Sequence, residues 1–171
     1  MIKIRHLEQT DCDKLQDFFL HIPEEDRFFL RDDVTNPKVI CQWTENIDHS
    51  RALPLVAIEG ERIIGEGAVV RRQGKARSHV AEIRLAVVPI WRNRGVGTEI
   101  IRSLCEVASQ AGFDAVLFEL IEFGQSEAIL AAEEMGFVRV GRLDGGARDR
   151  DGHLHDLITL AIPLGQYWAQ Y

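Results

Sequence analysis

"VVPIWRNRGVGTEII" occupies Val87 to Ile101, and its reading decides the fold. A β-branched run meets Pro89 and Trp91. Two arginines follow, Arg92 and Arg94, then two glycines a residue apart, Gly95 and Gly97. Apolar residues then recur at helical spacing: Ile100, Ile101, Leu104, Cys105, Ala108 and Ala111, with Gly112 as terminator. The helix after Gly97 begins with unpaired backbone N–H groups and the positive end of its dipole. Such an end binds phosphates. Glycine allows a sharp turn and close approach of an anion, and the arginines add charge and donors. The stretch therefore suits a pyrophosphate, although a tight strand–helix turn explains Gly95-x-Gly97 equally well. The usual P-loop is excluded, because no Gly-Lys-Ser/Thr follows. The dinucleotide fingerprint fails at its third glycine, where Ile100 stands.

Upstream, "IKIRHL" alternates and predicts a strand with Ile2 and Ile4 on one face. Thr10 reads as an N-cap for a helix over residues 10–22, with Asp11 and Asp13 in its first turn and Pro23 as its stop. Asn36-Pro37 starts a second helix, residues 37–47. "LPLVAIEGERIIGEGAVVRR" reads as two strands joined at Glu59–Arg62, and "HVAEIRLAVV" completes an antiparallel meander. The basic cluster Arg71, Arg72, Lys75 and Arg77 reads as a solvated turn, since no aromatic residues interleave with it. Downstream come the strand "AVLFELI", the helix "SEAILAAEEMG", and the strands "FVRVGRL" and "DLITLAIPL". A long polar connection, "DGGARDRDGHLHD", separates the last two. The order is β-α-α-β-β-β-α-β-α-β-β, an α/β arrangement of seven strands and four helices.

Bulk properties narrow the function. A chain of 171 residues suits one domain, read as residues 2–165 with a tail at 166–171. A formal net charge of −7 argues against nucleic acid as partner. The apolar runs are too short to cross a bilayer, and "MIKIRHLEQTD" lacks the apolar centre of a signal peptide. A cytoplasmic protein without membrane contact is expected. Cys12, Cys41 and Cys105 match no zinc pattern, their odd number argues against a disulfide framework, and buried inert thiols are expected. "GHLHD" invites a metal through His153, His155 and Asp156, but no further ligand cluster accompanies it, so no metal is expected.

The segment Arg92-Asn93-Arg94-Gly95-Val96-Gly97, after a strand ending "AVVPIWR", resembles the Arg/Gln-x-x-Gly-x-Gly/Ala signature of the GNAT superfamily, the Gcn5-related N-acetyltransferases. "AILAAEEMGFVRVGRL" is similar to that family's last helix and Gly-Phe corner, here Gly136-Phe137, and the likeness spans Ile2 to about Leu164. The resemblance implies a mixed, mostly antiparallel sheet of about seven strands with about four helices, splayed at the fourth and fifth strands. It implies acetyl-CoA as cosubstrate. The pyrophosphate would lie on Arg92, Asn93, Arg94, Gly95, Val96, Gly97 and Thr98, with the Thr98 hydroxyl either on a phosphate or serving as a local cap. The pantetheine arm would run beside Val87 and Val88, with Gln125 as a further contact.

Acetyl transfer to an amine needs a base, because a lysine-type amine with a pKa near ~10.4 arrives protonated. By the resemblance Glu82 in "AEIRLAVV" is that base; the plain alternative is an ion pair with Arg84. A backbone N–H near Leu85 or Ala86 would hold the thioester oxygen. The family's tyrosine acid has no counterpart, since Ala132 stands in its place. His155 and Asp156 would border the acceptor pocket. Three readings result. The first is an N-acetyltransferase that acts directly in a ternary complex on a small-molecule amine, protein lysine or N-terminus, as a monomer or homodimer. The second is a non-catalytic sensor of coenzyme A or a metabolite, and the third is a nucleotide-binding domain. A donor with a longer acyl chain fits the same signature.

Overall fold

In the computed structural model, which describes residues 1–30 and 33–165, the alternating segments become β1 (Lys3–His6), β2 (Ala52–Glu59), β3 (Arg62–Arg71), β4 (Val80–Val87), β5 (Ala115–Ile121), β6 (Val138–Arg148) and β7 (Leu154–Pro163). The helices are α1 (Cys12–Leu20), α2 (Glu24–Arg27), α3 (Pro37–Glu45), α4 (Val96–Gln110) and α5 (Ser126–Glu134). The strands form one sheet in the order β1-β2-β3-β4-β5-β7-β6. All neighbours are antiparallel except β4 and β5. This is the expected mixed sheet, with α2 as an additional single turn. Residues 166–171, read as a tail, lie outside the described residues.

The site is positioned by one break in this sheet. Parallel pairing of β4 with β5 covers only Val80–Ile83 against Ala115–Phe118. Beyond that point β4 stays with β3 as far as Val87↔Gly65, while β5 stays with β7 as far as Ile121↔Leu157. The two strands therefore part from Arg84 and Glu119 onwards.

Each face has its own core. Strict alternation in β4 sends Ala81, Ile83 and Val87 into the cluster beneath α4 and α5. Ala86 and Val88 pack instead with Leu15, Phe18, Phe19 and Ile40 of α1 and α3. Helix α4 lies unusually close to β3, because Gly65 and Gly67 face it. A Cβ on Gly65 would stand 2.5 Å from Ile100 Cδ1, and one on Gly67 2.9 Å from Ile100 Cγ2. Glycine inside a strand here marks close approach by another element.

Three expectations change. Helix α1 begins at Cys12, after a 3-10 turn over Gln9–Asp11, so Thr10 is not its cap. Asp11 is buried and receives Arg5 through two hydrogen bonds of 2.6 and 2.7 Å. Those bonds hold its carboxyl below the usual range. Asn36 does cap α3, its Oδ1 accepting from Lys38 N–H at 3.0 Å. The polar stretch after Leu143 is a connection only over residues 149–153; its first part, Asp144 to Arg148, is the second half of β6, which bulges between Leu143 and Ala147. Its glycines and charges read as loop because β6 is an exposed edge strand with no core face to impose alternation.

The third change concerns the cysteines. Cys12 of α1 and Cys41 of α3 form a disulfide, with Cα atoms 5.1 Å apart. Spacing could not reveal it, since packing of the two helices creates the pair. Only Cys105 is the buried thiol expected, pushed up to about 12 by desolvation. Such bridges persist chiefly in oxidising surroundings, which pulls against the cytoplasmic expectation. The bridge spans 29 residues, so its reduction is expected to destabilise the fold by about 3.6 kcal/mol in the chain-entropy account. Thermal melts with and without reductant check this; a Cys12→Ser, Cys41→Ser chain should melt like the reduced protein and ignore reductant.

Candidate functional site

Where β4 and β5 part, a cavity of about 420 Å³ opens. It passes through the sheet, touching Ile22, Phe29 and Leu30 on the α1 side and Ile101, Ala128 and Ala131 on the α4–α5 side. Glu82, Val87, Arg92, Asn93, Gly95, Gly97, Thr98 and Gln125 all line it. Residues far apart in the chain thus meet in one space. Val88, Arg94, Val96, His155 and Asp156 do not line it.

Backbone parity explains why Val87 reaches the cavity and Val88 does not. Val88 N–H donates to Ile64 O at 3.0 Å, and Val88 O accepts from Trp91 N–H at 2.8 Å, so both its groups are engaged. Peptide groups alternate direction along a strand. Val87 and Leu85 therefore turn theirs towards the open slot, where β5 has left. Of the two N–H groups expected to hold a carbonyl oxygen, Leu85's is on that edge. Ala86 pairs with Glu66 of β3 instead.

The turn after β4 takes its shape from two left-handed residues, Asn93 at φ 57° and Gly95 at φ 81°. Gly95 is the N-cap, so α4 starts at Val96, earlier than glycine spacing predicts, and Thr98 is the third helical residue rather than a cap. Val96 is 1% exposed and serves the core. Arg94 lies over the Trp91 ring at 5.3 Å. Arg92 crosses the cavity mouth: its Nε donates to Val87 O at 3.0 Å and its Nη2 to Asp26 Oδ2 at 2.6 Å. An incoming anion would meet Arg92 already held by a carboxylate from α2.

The two glycines of the turn differ in kind. A Cβ on Gly95 would touch nothing within 4 Å, but its φ is strained for any other residue. A Cβ on Gly97 would meet only Leu85 Cδ1 at 3.9 Å, at ordinary φ. Gly95→Ala is thus expected to lose about 1 kcal/mol of stability. Gly97→Ala should gain a few tenths of a kcal/mol or slightly more from helix propensity. Parallel denaturant titrations of the two variants test the contrast; equal shifts would contradict the dihedral argument.

Among the predicted catalytic groups, Glu82 is ion-paired, with its Oε1 2.9 Å from Arg84 Nε. The plain alternative for this residue is therefore the arrangement found. Gln125 is committed locally, its Oε1 accepting from Ile121 N–H at 2.6 Å at the end of β5. Ala132 is fully buried in the core. The residues of α5 that face the cavity are Glu127, Ala128 and Ala131.

His155 and Asp156 belong to the β6–β7 hairpin rather than to the cavity. His155 Nε2 lies 2.7 Å from Asp149 Oδ2, and its ring stacks on Phe123 at 4.7 Å. Asp156 accepts from Gly145 N–H and pairs with Arg142. Asp149, Asp151 and His153 could bring ligand atoms within 4.8 Å of one another, a different trio from the one the sequence suggested. Asp149, however, already accepts from the N–H groups of Asp151 and His153, and the His155 contact draws its carboxyl down to about 2. The trio shapes a hairpin turn.

Sequence reasoning missed one carboxylate. Glu66 sits between Gly65 and Gly67 on β3, facing the α1 side, opposite Ala86. Desolvation raises it from 4.5 to about 7, and the attraction of Arg84 only partly opposes this. The available signal was a charge between two glycines inside an apolar run, Ile63 to Val70.

Among the described residues, no helix is long and apolar enough to cross a membrane. A model of the acetyltransferase (GNAT) family matches residues 13–158. No curated protein sequence matches the chain. Solved structures are similar throughout. The Salmonella typhimurium protein yncA, solved with its cofactor acetyl-CoA, superposes with a TM-score of 0.82 at 16% identity, covering 96% of this chain and 95% of that one. A ribosomal-protein-alanine N-acetyltransferase from Brucella melitensis gives 0.81 at 20% identity, covering 95% and 99%. A GCN5-related N-acetyltransferase from Kribbella flavida gives 0.79 at 20% identity, covering 95% and 98%. At these identities the likeness speaks to the fold. The family match over most of the chain, joined to the splayed β4–β5 pair and the turn at Gly95, makes this chain a member of the GNAT acetyltransferase family.

Proposed function

We propose that the protein is an N-acetyltransferase that moves an acetyl group from acetyl-CoA to a primary amine by direct attack in a ternary complex. One observation carries the reading: the main-chain edge of β4 that β5 has left, where Val87 O is met only by the Arg92 side chain among the described residues, and the N-terminal turn of α4 open on the same cavity. The residues present fit the cosubstrate. The turn offers main-chain donors and Arg92 to a diphosphate, and glycine at residues 95 and 97 leaves open space there. The slot edge at Val87 offers a strand-like partner for the amide groups of the pantetheine arm. Leu85 N–H is the donor for the carbonyl oxygen as charge develops on it. The thioester supplies an activated acyl carbon and a thiolate leaving group.

The acceptor then enters from the α1 side, past Ile22, Phe29 and Leu30. Glu82, assigned as base by the resemblance, lies on that face with Arg84 attached. His155 and Asp156 keep a role only if the acceptor extends as far as the hairpin. A homodimer and a longer acyl donor remain compatible with this site.

The sensor reading is favoured by one observation: no tyrosine stands in the expected place, as Ala132 is core and α5 presents Glu127, Ala128 and Ala131 to the cavity. Calorimetry with acetyl-CoA, NAD and ATP, followed by thiol release over a broad amine panel, separates the readings. Binding of acetyl-CoA with turnover supports the transferase, and binding without turnover supports the sensor. A preference for NAD or ATP returns the site to nucleotides.

A further inference from the structure

We propose that Glu119, on β5, sets acceptor specificity by pairing with a second cation on the acceptor, so that the substrate class is a short diamine: one nitrogen reacts and the other stays charged. The proposal rests on the acetyl-transfer reading of the site. Glu119 lines the cavity. Its neighbours Phe118 and Leu120 belong to the core beneath α4 and α5, so Glu119 turns to the opposite face, the α1 side, where it is exposed. That is the side from which the acceptor enters. The last pair between β4 and β5 is Ile83↔Phe118. Glu119 is therefore the first residue of β5 beyond the split, level with Arg84 and one residue short of Leu85, the donor for the thioester oxygen. Strands lie about 4.8 Å apart where they pair, and wider beyond. Glu119 thus stands little more than one strand spacing from the β4 edge that carries Leu85 N–H. On β7 its partner is Thr159, and Leu157 follows on the same face, so its flank on that strand is neutral.

The charges of the cavity select the sign of the ligand. Asp26, Glu82, Glu119 and Glu127 line it against Arg84 and Arg92. Each arginine already has a carboxylate: Arg84 Nε lies 2.9 Å from Glu82 Oε1, and Arg92 Nη2 lies 2.6 Å from Asp26 Oδ2. Glu119 makes no hydrogen bond or ion pair with any described residue. Glu127 is also left over, but it opens α5 on the other face of the sheet. A diphosphate in the same cavity would add to the negative excess. A carboxylate at the acceptor entrance without a cation of its own favours a ligand that brings one. A monoamine cannot keep its charge, because its only nitrogen must be neutral to attack. A second nitrogen can, since amines of this kind have a pKa near ~10.4. About three to five carbons between the nitrogens cover the gap from the slot edge to the neighbouring strand. Ile22, Phe29 and Leu30 give that carbon chain an apolar wall.

Glu119 exchanges neither proton nor electrons in the transfer. The neutral nitrogen forms the C–N bond to the acetyl carbon. The C–S bond breaks with its electron pair on sulfur, and the surplus nitrogen proton passes to that thiolate. Amine plus thioester give amide plus thiol, while the second ammonium stays on Glu119.

The test is thiol release with terminal diaminopropane, diaminobutane and diaminopentane, the monoamines of the same chain lengths, and aminobutyrate. The chains compared are the wild type, Glu119→Gln, Glu119→Lys and Glu127→Gln, with calorimetry on each to monitor acetyl-CoA binding. The wild type should prefer at least one diamine over its matched monoamine by ~10-fold or more in kcat/KM. Glu119→Gln should abolish that ratio through KM of the diamine, and Glu119→Lys should invert it in favour of aminobutyrate. Both should still bind acetyl-CoA. Turnover without a diamine preference in the wild type overturns the proposal and leaves the transferase reading standing. A preference that survives Glu119→Gln, or one removed by Glu127→Gln instead, overturns it as well. Acetyl-CoA binding with no turnover of any amine by the wild type overturns the transferase reading together with the proposal. Failure of wild-type binding overturns the cosubstrate assignment beneath both.

Discussion

Gly67→Val is expected to lower the thermal midpoint by roughly 6 °C and to weaken acetyl-CoA binding with it. Strand propensity alone predicts the opposite sign, since valine is favoured over glycine in a strand by up to about 1 kcal/mol. Space decides against it. A Cβ at residue 67 would lie 2.9 Å from Ile100 Cγ2, 3.0 Å from Leu104 Cδ1 and 3.0 Å from the Arg84 carbonyl oxygen. Ile100 and Leu104 are fully buried, and the third obstacle is main chain of the neighbouring strand. Valine adds two further methyl groups to that contact. Forcing atoms into a packed core costs about 1–3 kcal/mol, occasionally more, which exceeds the propensity gain. The relief available is displacement of α4 from the sheet. That displacement moves the N-terminal turn at Gly95, so a change in the core should appear as lost cosubstrate affinity. Thermal melts and calorimetry on one preparation check both halves. A midpoint equal to or above wild type would show that α4 does not rest on β3 as described.

The same contact shows what the sequence made legible. "AVLFELI" becomes β5 with the bounds read from it, and the turn at Glu59–Arg62 joins β2 to β3 as expected. These segments are buried on at least one face, so period and composition report the burial that stabilises them. The turn after β4 was legible as a strand–helix junction, because a β-branched run gives way to two glycines and then to helical spacing. Its exact start was not, because the left-handed φ of Asn93 and Gly95 is a backbone property that several spacings allow. β6 was shortened in the reading because an edge strand with no buried face shows no pattern. The Cys12–Cys41 bridge, the Asp26–Arg92 pair and the place of Glu66 all arise from tertiary juxtaposition. Each joins elements whose relative position no local rule predicts. Gly65 and Gly67 left a trace, as strand glycines do, but its meaning depends on knowing that α4 lies across them.

Glu66→Gln is expected to make the protein more stable above neutral pH, by ~3 kcal/mol at most, and to change little at pH 5. The folded-state value is about 7 against an ordinary 4.5, so between these pH values the folded chain retains a proton that the unfolded chain has lost. Stability therefore falls as pH rises across that window and levels off above it. Glutamine keeps the shape and removes the ionisation, so the decline should vanish and the midpoint at pH 8 should rise by roughly 6 °C, allowing for the partial solvent contact of Glu66. Asp11 acts in the other direction and elsewhere. Its carboxyl is lowered by the Arg5 hydrogen bonds, so its contribution is lost only as pH falls below the normal carboxylate range. The two groups do not overlap, and a melt series from pH 2 to 9 resolves them. Identical pH profiles for wild type and Glu66→Gln would mean that water reaches the carboxyl freely and that burial does not hold its proton.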